Sequence, residues 1–275
     1  MYKRDGVETK ERGDERRAAA PRRRRDDLLA AVIAHQQIAV VFQPQINPAT
    51  GAVEGAEALA RWDRVAGAEQ LFARAAAAGL SERLSRLVQS KALRAAAAWE
   101  GPLRRLRISI NLLPDEIVQE GYVEWLLDEV ETAGIDPKRV TVEITENVLL
   151  SDLDAVAANL EKIREAGIKV ALDDFGTGYA SFAYLGSLPL DALKIDRGLV
   201  DKISTSERDR IVVKSIFGLA RDLGLSVVVE GVESTSQLVL LADWGCELYQ
   251  GFLGAGALDE QELARFVAVS HANAA

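Results

Sequence analysis

Cysteine, histidine and methionine are scarce in this chain of 275 residues, which has one, two and one of them. The single cysteine, Cys246, excludes an intrachain disulfide and suits a reducing cytosol. His35 and His271 lie near the ends of the globular region and fit no metal-ligand spacing. Long apolar runs are missing too. None can span a bilayer, and the N-terminus lacks the apolar core of a signal peptide, so a cytoplasmic chain without a transmembrane segment is expected. Positive charge is in deficit. A formal net charge of -9 argues against a surface for nucleic-acid polymers.

What is present is ordinary globular material, 48% hydrophobic and 27% charged, at a length that a single α/β barrel commonly uses. Residues 1–27 differ from the rest. They are dense in charge, include RRRR at 22–25, and read as a solvated linker or tail that joins an upstream sensory domain in a longer protein. Residues 28–275 are expected to form the barrel domain. Eight short apolar runs follow one another: IAVVFQPQI (38–46), VEGAEALARW (53–62), LRISINL (106–112), VTVEITE (140–146), KVALDDF (169–175), ALKID (192–196), SVVVEGV (226–232) and CELYQGF (246–252). Amphipathic stretches at 82–99, 122–133, 153–166, 206–223 and 234–244 separate most of them, the pattern of parallel strands joined by helical crossovers. NPATG, between the first two, is too short for a crossover, so those strands should form a hairpin. The expected fold is a TIM-like (β/α)8 barrel with an antiparallel first strand.

Each run carries polar residues that an apolar core rejects, most near its C-terminal end: Gln43, Glu57 with Arg61, Asn111, Glu143 with Glu146, Asp173 with Asp174, Lys194 with Asp196, Glu230 with Glu233, and Gln250. A barrel gathers those ends at one mouth, where barrel enzymes keep their sites. One strand-end carboxylate is commonplace; the repetition over eight strands is the signal. Glu57, Asn111, Glu143, Asp173 and Asp174 are oxygen donors, and an all-oxygen set favours Mg²⁺ or Mn²⁺. Adjacent aspartates let one carboxylate bridge two ions while its neighbour holds the second. Such a pair activates water and stabilises the leaving oxygen of a phosphodiester. Lys194 is either a catalytic group or an ion-pair partner of a neighbouring acid. Arg61 offers a fork for phosphate oxygens or a structural salt bridge. Glu230 is a candidate proton acceptor.

Taken together, EALAR (57–61), FQP (42–44), SINL (109–112), VEITE (142–146), DDFGTGYASFAYL (173–185), LKIDR (193–197), VEGVE (229–233) and YQGF (249–252) resemble the EAL domain of cyclic-di-GMP-specific phosphodiesterases, in family order over about residues 28–265. The resemblance implies hydrolysis of cyclic di-GMP to linear pGpG with two Mg²⁺ or Mn²⁺ ions, Ca²⁺ being inhibitory. It implies that Glu57, Asn111, Glu143 and Asp173 hold the first metal, Asp173 bridges, and Asp174 serves the second. It gives Lys194 and Glu230 catalytic roles and makes Gln43, Arg61 and Asp196 substrate contacts, with Gln250 a further site glutamine. Glu146 would anchor the loop after DDFGTG, which in the family often lies at a homodimer interface; Glu233 is placed with it.

Two stretches depart from the family pattern. Residues 63–80 are shorter than usual, lack its prolines and have Ala76 where a glutamate is common; GAGAL (254–258) replaces a Ser-(Arg or Lys)-Pro ending. Both border the substrate and leave a second reading open, a cyclic-di-GMP receptor with little or no turnover. A third, a protein-interaction module, fits poorly with carboxylates crowded at a mouth. Trp62, Trp99, Trp125 and Trp244 read as packing residues, Cys246 as a small buried hydrophobe at the start of a strand, and the Ala-rich stretch 75–99 as closely packed helix.

Overall fold

NPATG turns the first two strands back on one another. In the computed structural model, which describes residues 26–150, 152–176 and 185–274, β1 (Ala39–Ile46) and β2 (Val53–Arg61) pair antiparallel. Asn47 shapes the turn, its Oδ1 accepting from the main-chain N–H groups of Ala49 and Thr50 at 2.9 and 3.2 Å, the local bonding that suits asparagine to turns. Six strands follow: β3 (Arg107–Leu112), β4 (Val140–Thr145), β5 (Lys169–Phe175), β6 (Ala192–Ile195), β7 (Ser226–Val229) and β8 (Leu248–Tyr249). From β2 onward each pairs parallel with the next, and β1 meets β8 antiparallel to close the barrel. The expected barrel with an inverted first strand is the one observed.

Pleating decides which side chains meet. Along β4, Val140, Val142 and Ile144 pack in the apolar layer while Glu143, at the opposite parity, points away from it. The helices supply the other half of that layer through residues three or four apart, such as Val156, Leu160 and Ile163. Asp152 caps the helix Leu153–Glu165, Ser206 caps Glu207–Asp222, and Ser234 with Gln237 makes a capping box on Thr235–Trp244. Among the described residues, no helix is long and apolar enough to cross a membrane.

Two local expectations need correction. The Ala-rich stretch is two helices, Ala68–Ala78 and Ser81–Ala98, divided at Gly79, whose φ of 70° is the left-handed conformation that ends helices. The last strand is only Leu248–Tyr249, and Cys246 precedes it; the chain turns at once because Gly251 packs against the Val232 backbone, where a Cβ would fall 2.3 Å from its nitrogen. A smaller apolar cluster, including Leu29, Ile33, Trp62, Leu71 and Leu84, seats the helices Asp27–Ala34 and Ala68–Ala78 beside β2. There the Arg74 guanidinium lies 4.8 Å from the Trp62 ring centroid and ion-pairs with Asp26. Trp99 stands edge-on to Phe42 at 5.2 Å and Trp244 to Phe217 at 6.0 Å, so these are packing residues. Residues 1–25 and 177–184, which hold most of the charged tail and of the loop after DDFGTG, lie outside the described residues.

Candidate active site

The strand register stacks the polar residues level by level. Gln43 pairs with Glu57, Asn111 with Glu143, and Thr145 with Asp173. At their centre is Lys194, 1% exposed. Its Nζ lies 2.7 Å from Glu143 Oε2, 2.7 Å from Glu230 Oε1, 2.9 Å from Asp173 Oδ1 and 3.3 Å from Glu57 Oε2. Four carboxylates thus converge on one ammonium in a nearly dry space. A charge so buried is tolerated only when paired and hydrogen-bonded.

The electrostatics follow from that imbalance. Burial works to lower the Lys194 pKa, but Asp173, Glu143, Glu57 and Glu230 together outweigh it and hold the ammonium well above the usual lysine range. Burial also opposes ionisation of Glu57, yet Lys194, Gln250 and Asn111 overcome it and keep its pKa below normal. Asn111 Nδ2 donates to Glu57 Oε1 at 2.8 Å and Gln250 Nε2 to Glu57 Oε2 at 2.7 Å. Glu143 goes the other way: burial, helped by Glu57 and Asp173, raises it well above a normal carboxyl despite Lys194. Glu230 is pushed up to about 7, by burial first and then by Asp173 and Glu57.

Adjacent residues of a regular strand point to opposite faces, so Asp173 and Asp174 should not share a site. A break in register lets them. Leu172 pairs with Leu193 and Phe175 with Ile195, so β5 carries an extra residue at the two aspartates, a β-bulge. Asp174 takes φ 56°, a left-handed conformation that a non-glycine residue rarely adopts and that is characteristic of functional sites. Its carboxylate is thereby brought within 4.8 Å of oxygens of Asp173 and Glu230. Burial, then the Asp173 charge, raises its pKa.

Two overlapping groups of oxygens result. Glu57, Glu143 and Asp173 form one, a carboxylate oxygen from each lying within 4.8 Å of the others; Asp173, Asp174 and Glu230 form the second in the same way. Asp173 belongs to both. With only carboxylate and amide oxygen at hand, the donor set fits hard divalent cations.

The remaining sequence candidates are spread around this centre. Gln250 also donates to Glu230 Oε1 at 2.9 Å and so joins the cage. Gln43 is half-buried on β1, and Arg61 is exposed at the end of β2. Asp196 caps the short helix Arg197–Val200, its Oδ1 accepting from the Gly198 N–H at 2.8 Å. Glu146 accepts from the Gly176 N–H at 2.8 Å, at the point where the chain leaves β5. Gly176 has φ 104°, and a Cβ there would lie 2.3 Å from Leu199 Cδ1. Glu233 stands apart from the cage, in an exposed ion pair with Arg197 at 2.7 Å. One cage residue escaped the sequence reading. Gln45, buried on β1, donates to Gln250 Oε1 at 3.3 Å and to Ser109 Oγ at 3.4 Å. Its spacing of two from Gln43, on the same face of a strand, was the available signal.

The sequence pattern of the EAL domain matches residues 25–257. The chain belongs to the EAL domain family. It is 35% identical over 236 residues to "Cyclic di-GMP phosphodiesterase NbdA" of Pseudomonas aeruginosa, a match that covers 84% of this chain and 30% of that protein. The curated relatives it matches are much longer; this chain spans from 27% to 39% of their lengths. Among solved structures it resembles "PaMucR Phosphodiesterase, c-di-GMP complex" (TM-score 0.79, 31% identity, 86% of this chain and 97% of that one). It also resembles Klebsiella pneumoniae BlrP1 in a manganese and cyclic-di-GMP complex (TM-score 0.73, 33% identity, 80% and 56%). The cage of this EAL domain is therefore built on a fold shared with proteins named for cyclic-di-GMP hydrolysis.

Proposed function

We propose that this EAL domain hydrolyses cyclic di-GMP to linear pGpG with the help of two divalent cations, Mg²⁺ or Mn²⁺. The observation that carries the reading is the pair of oxygen groups sharing Asp173. Glu57, Asn111, Glu143 and Asp173 would hold one ion; Asp173 and Asp174 the other. When bound, the ions activate water and neutralise charge on the phosphodiester, and they reverse the sign of a mouth that otherwise repels phosphate. Glu230, beside Asp173 and Asp174 at the edge of the cage, would accept a proton from the attacking water and release it later. Lys194 keeps the carboxylates apart in fixed positions and offers positive charge to the reacting phosphate. Arg61, Gln43, Asp196 and Gln250 are the proposed substrate contacts.

The solved complexes of BlrP1 with manganese or calcium and cyclic di-GMP support divalent-cation dependence here. Mg²⁺ or Mn²⁺ should sustain turnover and Ca²⁺ suppress it. We further infer a cytoplasmic homodimer, with residues 1–27 leading from an upstream sensory domain. Initial rates of pGpG release with each metal test the activity, and sedimentation at micromolar protein tests the dimer; folded protein that releases no product with either metal contradicts the reading. One observation favours the receptor alternative: Lys194 already supplies the cage with a counter-ion. Tight calorimetric binding of cyclic di-GMP without hydrolysis is its signature.

A further inference from the structure

Outside β3, away from the cage, four polar side chains on two helices and a short turn close into a buried network. Gln89, on the helix Ser81–Ala98, donates through Nε2 to the main-chain oxygen of Asn111 at 2.9 Å, to Ser85 Oγ at 2.9 Å and to Glu116 Oε2 at 3.3 Å. Its Oε1 accepts from the Tyr122 hydroxyl at 3.0 Å. Ser85 donates to Glu116 Oε2 at 2.8 Å, and the same oxygen accepts from the Leu113 N–H at 3.0 Å. None of the four exceeds 2% exposure. The network grips the main chain on both sides of Leu112, at the carbonyl of Asn111 and the N–H of Leu113. This is where β3 ends and ladder hydrogen bonds cease to fix the backbone.

Stability alone does not account for this arrangement. A carboxyl buried among helices is costly, and Glu116 Oε1 has no hydrogen-bond partner. An apolar set of similar volume would avoid that cost. What the network supplies is a fixed backbone beneath Asn111, whose side chain reaches Glu57 Oε1 at 2.8 Å on the other side of the strand. Ser85 and Gln89 also line a cavity of about 310 Å³ together with Glu57, Asn111 and Asp174, so the network and the cage share one wall.

We propose that Gln89 is a positioning residue for the cation site: with Ser85, Glu116 and Tyr122 it fixes the Asn111 backbone so that the amide oxygen stands ready for a divalent ion beside Glu57. The inference rests on the proposed function, since it needs an ion at that place. Groups that orient metal ligands typically alter affinity by 10- to 100-fold when removed. Mn²⁺ affinity measured by calorimetry, without nucleotide, is therefore the primary readout. Gln89→Met, similar in length but unable to donate, should weaken Mn²⁺ binding by roughly tenfold or more. Tyr122→Phe frees only Gln89 Oε1 and should weaken it by roughly threefold, about the worth of a modest hydrogen bond. In turnover, raised Mn²⁺ should restore kcat for both variants, a rescue that a general loss of packing would not give. Unchanged Mn²⁺ affinity in folded Gln89→Met overturns the inference and leaves the proposed function standing. If Gln89→Met does not fold, unchanged affinity in Tyr122→Phe does so. Wild-type protein that binds no Mn²⁺ overturns both.

Discussion

The two ends of the barrel treat charge in opposite ways. Where the strands begin, around an open cavity of about 860 Å³, Asp191 and Glu54 each meet an arginine. Asp191 accepts from Arg164 Nε and Nη2 at 3.1 and 3.0 Å and from the Val170 N–H at 2.9 Å, and Glu54 meets Arg107 at 3.0 Å. These side chains are partly exposed. Where the strands end, four carboxylates share one almost fully buried ammonium. The larger cavity thus lies at the end where Asp191 and Glu54 are held by arginines at the surface, and the crowded, buried charge lies at the tighter one. Concavity alone points to the wrong end; the charge balance points to the cage.

Breaking each end in turn sharpens the contrast. The largest effect is expected from Glu143→Gln, which leaves the first oxygen group a charge short. Cyclic-di-GMP turnover with Mn²⁺ should fall by roughly a hundredfold or more, read as pGpG release, because such preorganised charge is typically worth that much. Next comes Lys194→Met. Removing one partner of a buried ion cluster leaves charge uncompensated, so metal-free protein should lose about 3–5 kcal/mol in denaturant unfolding, with part regained on adding Mn²⁺.

The third test is pH. Glu230 is raised from 4.5 to about 7, so the folded state holds its proton where the unfolded state has released it. Its stabilising contribution is complete below the unfolded value and is lost as pH rises through about 7. Burial raises Glu143 and Asp174 in the same sense. Metal-free protein should therefore show a falling thermal midpoint between pH 5 and pH 8, and Glu230→Gln should flatten part of that fall. A midpoint that rises over this range contradicts the charge balance described for the cage. The smallest effect belongs to the end where the strands begin. Asp191→Asn should cost no more than about 1 kcal/mol in chemical denaturation and leave turnover unchanged, as expected for a partly exposed ion pair.

Much of this was legible in the residues. NPATG and its flanking apolar runs announced the hairpin, and polar residues repeated at strand ends announced the mouth. The facing of Asp174 was not legible, because period two assigns neighbours to opposite faces and only the bulge with its left-handed residue overrides that rule. The break at Gly79 was hidden by the alanines before it and by the helix-favouring run of Leu, Glu and Arg after it. Ser85 and Gln89 carried a faint signal. They are polar residues four apart within the stripe that also holds Leu84, Val88, Ala92 and Leu93, but nothing local says that their partners are the Asn111 carbonyl and Glu116. Long-range hydrogen bonds of that kind depend on which helix lies against which strand.

Under the proposed function, the acid excess at the strand ends holds divalent cations for the hydrolysis of cyclic di-GMP. Turnover of cyclic di-GMP by the wild-type chain with Mn²⁺, and again after chelation, tests it most directly. Linear pGpG that accumulates with Mn²⁺ and stops on chelation is the result expected; no linear product, or product formed equally well without metal, contradicts it.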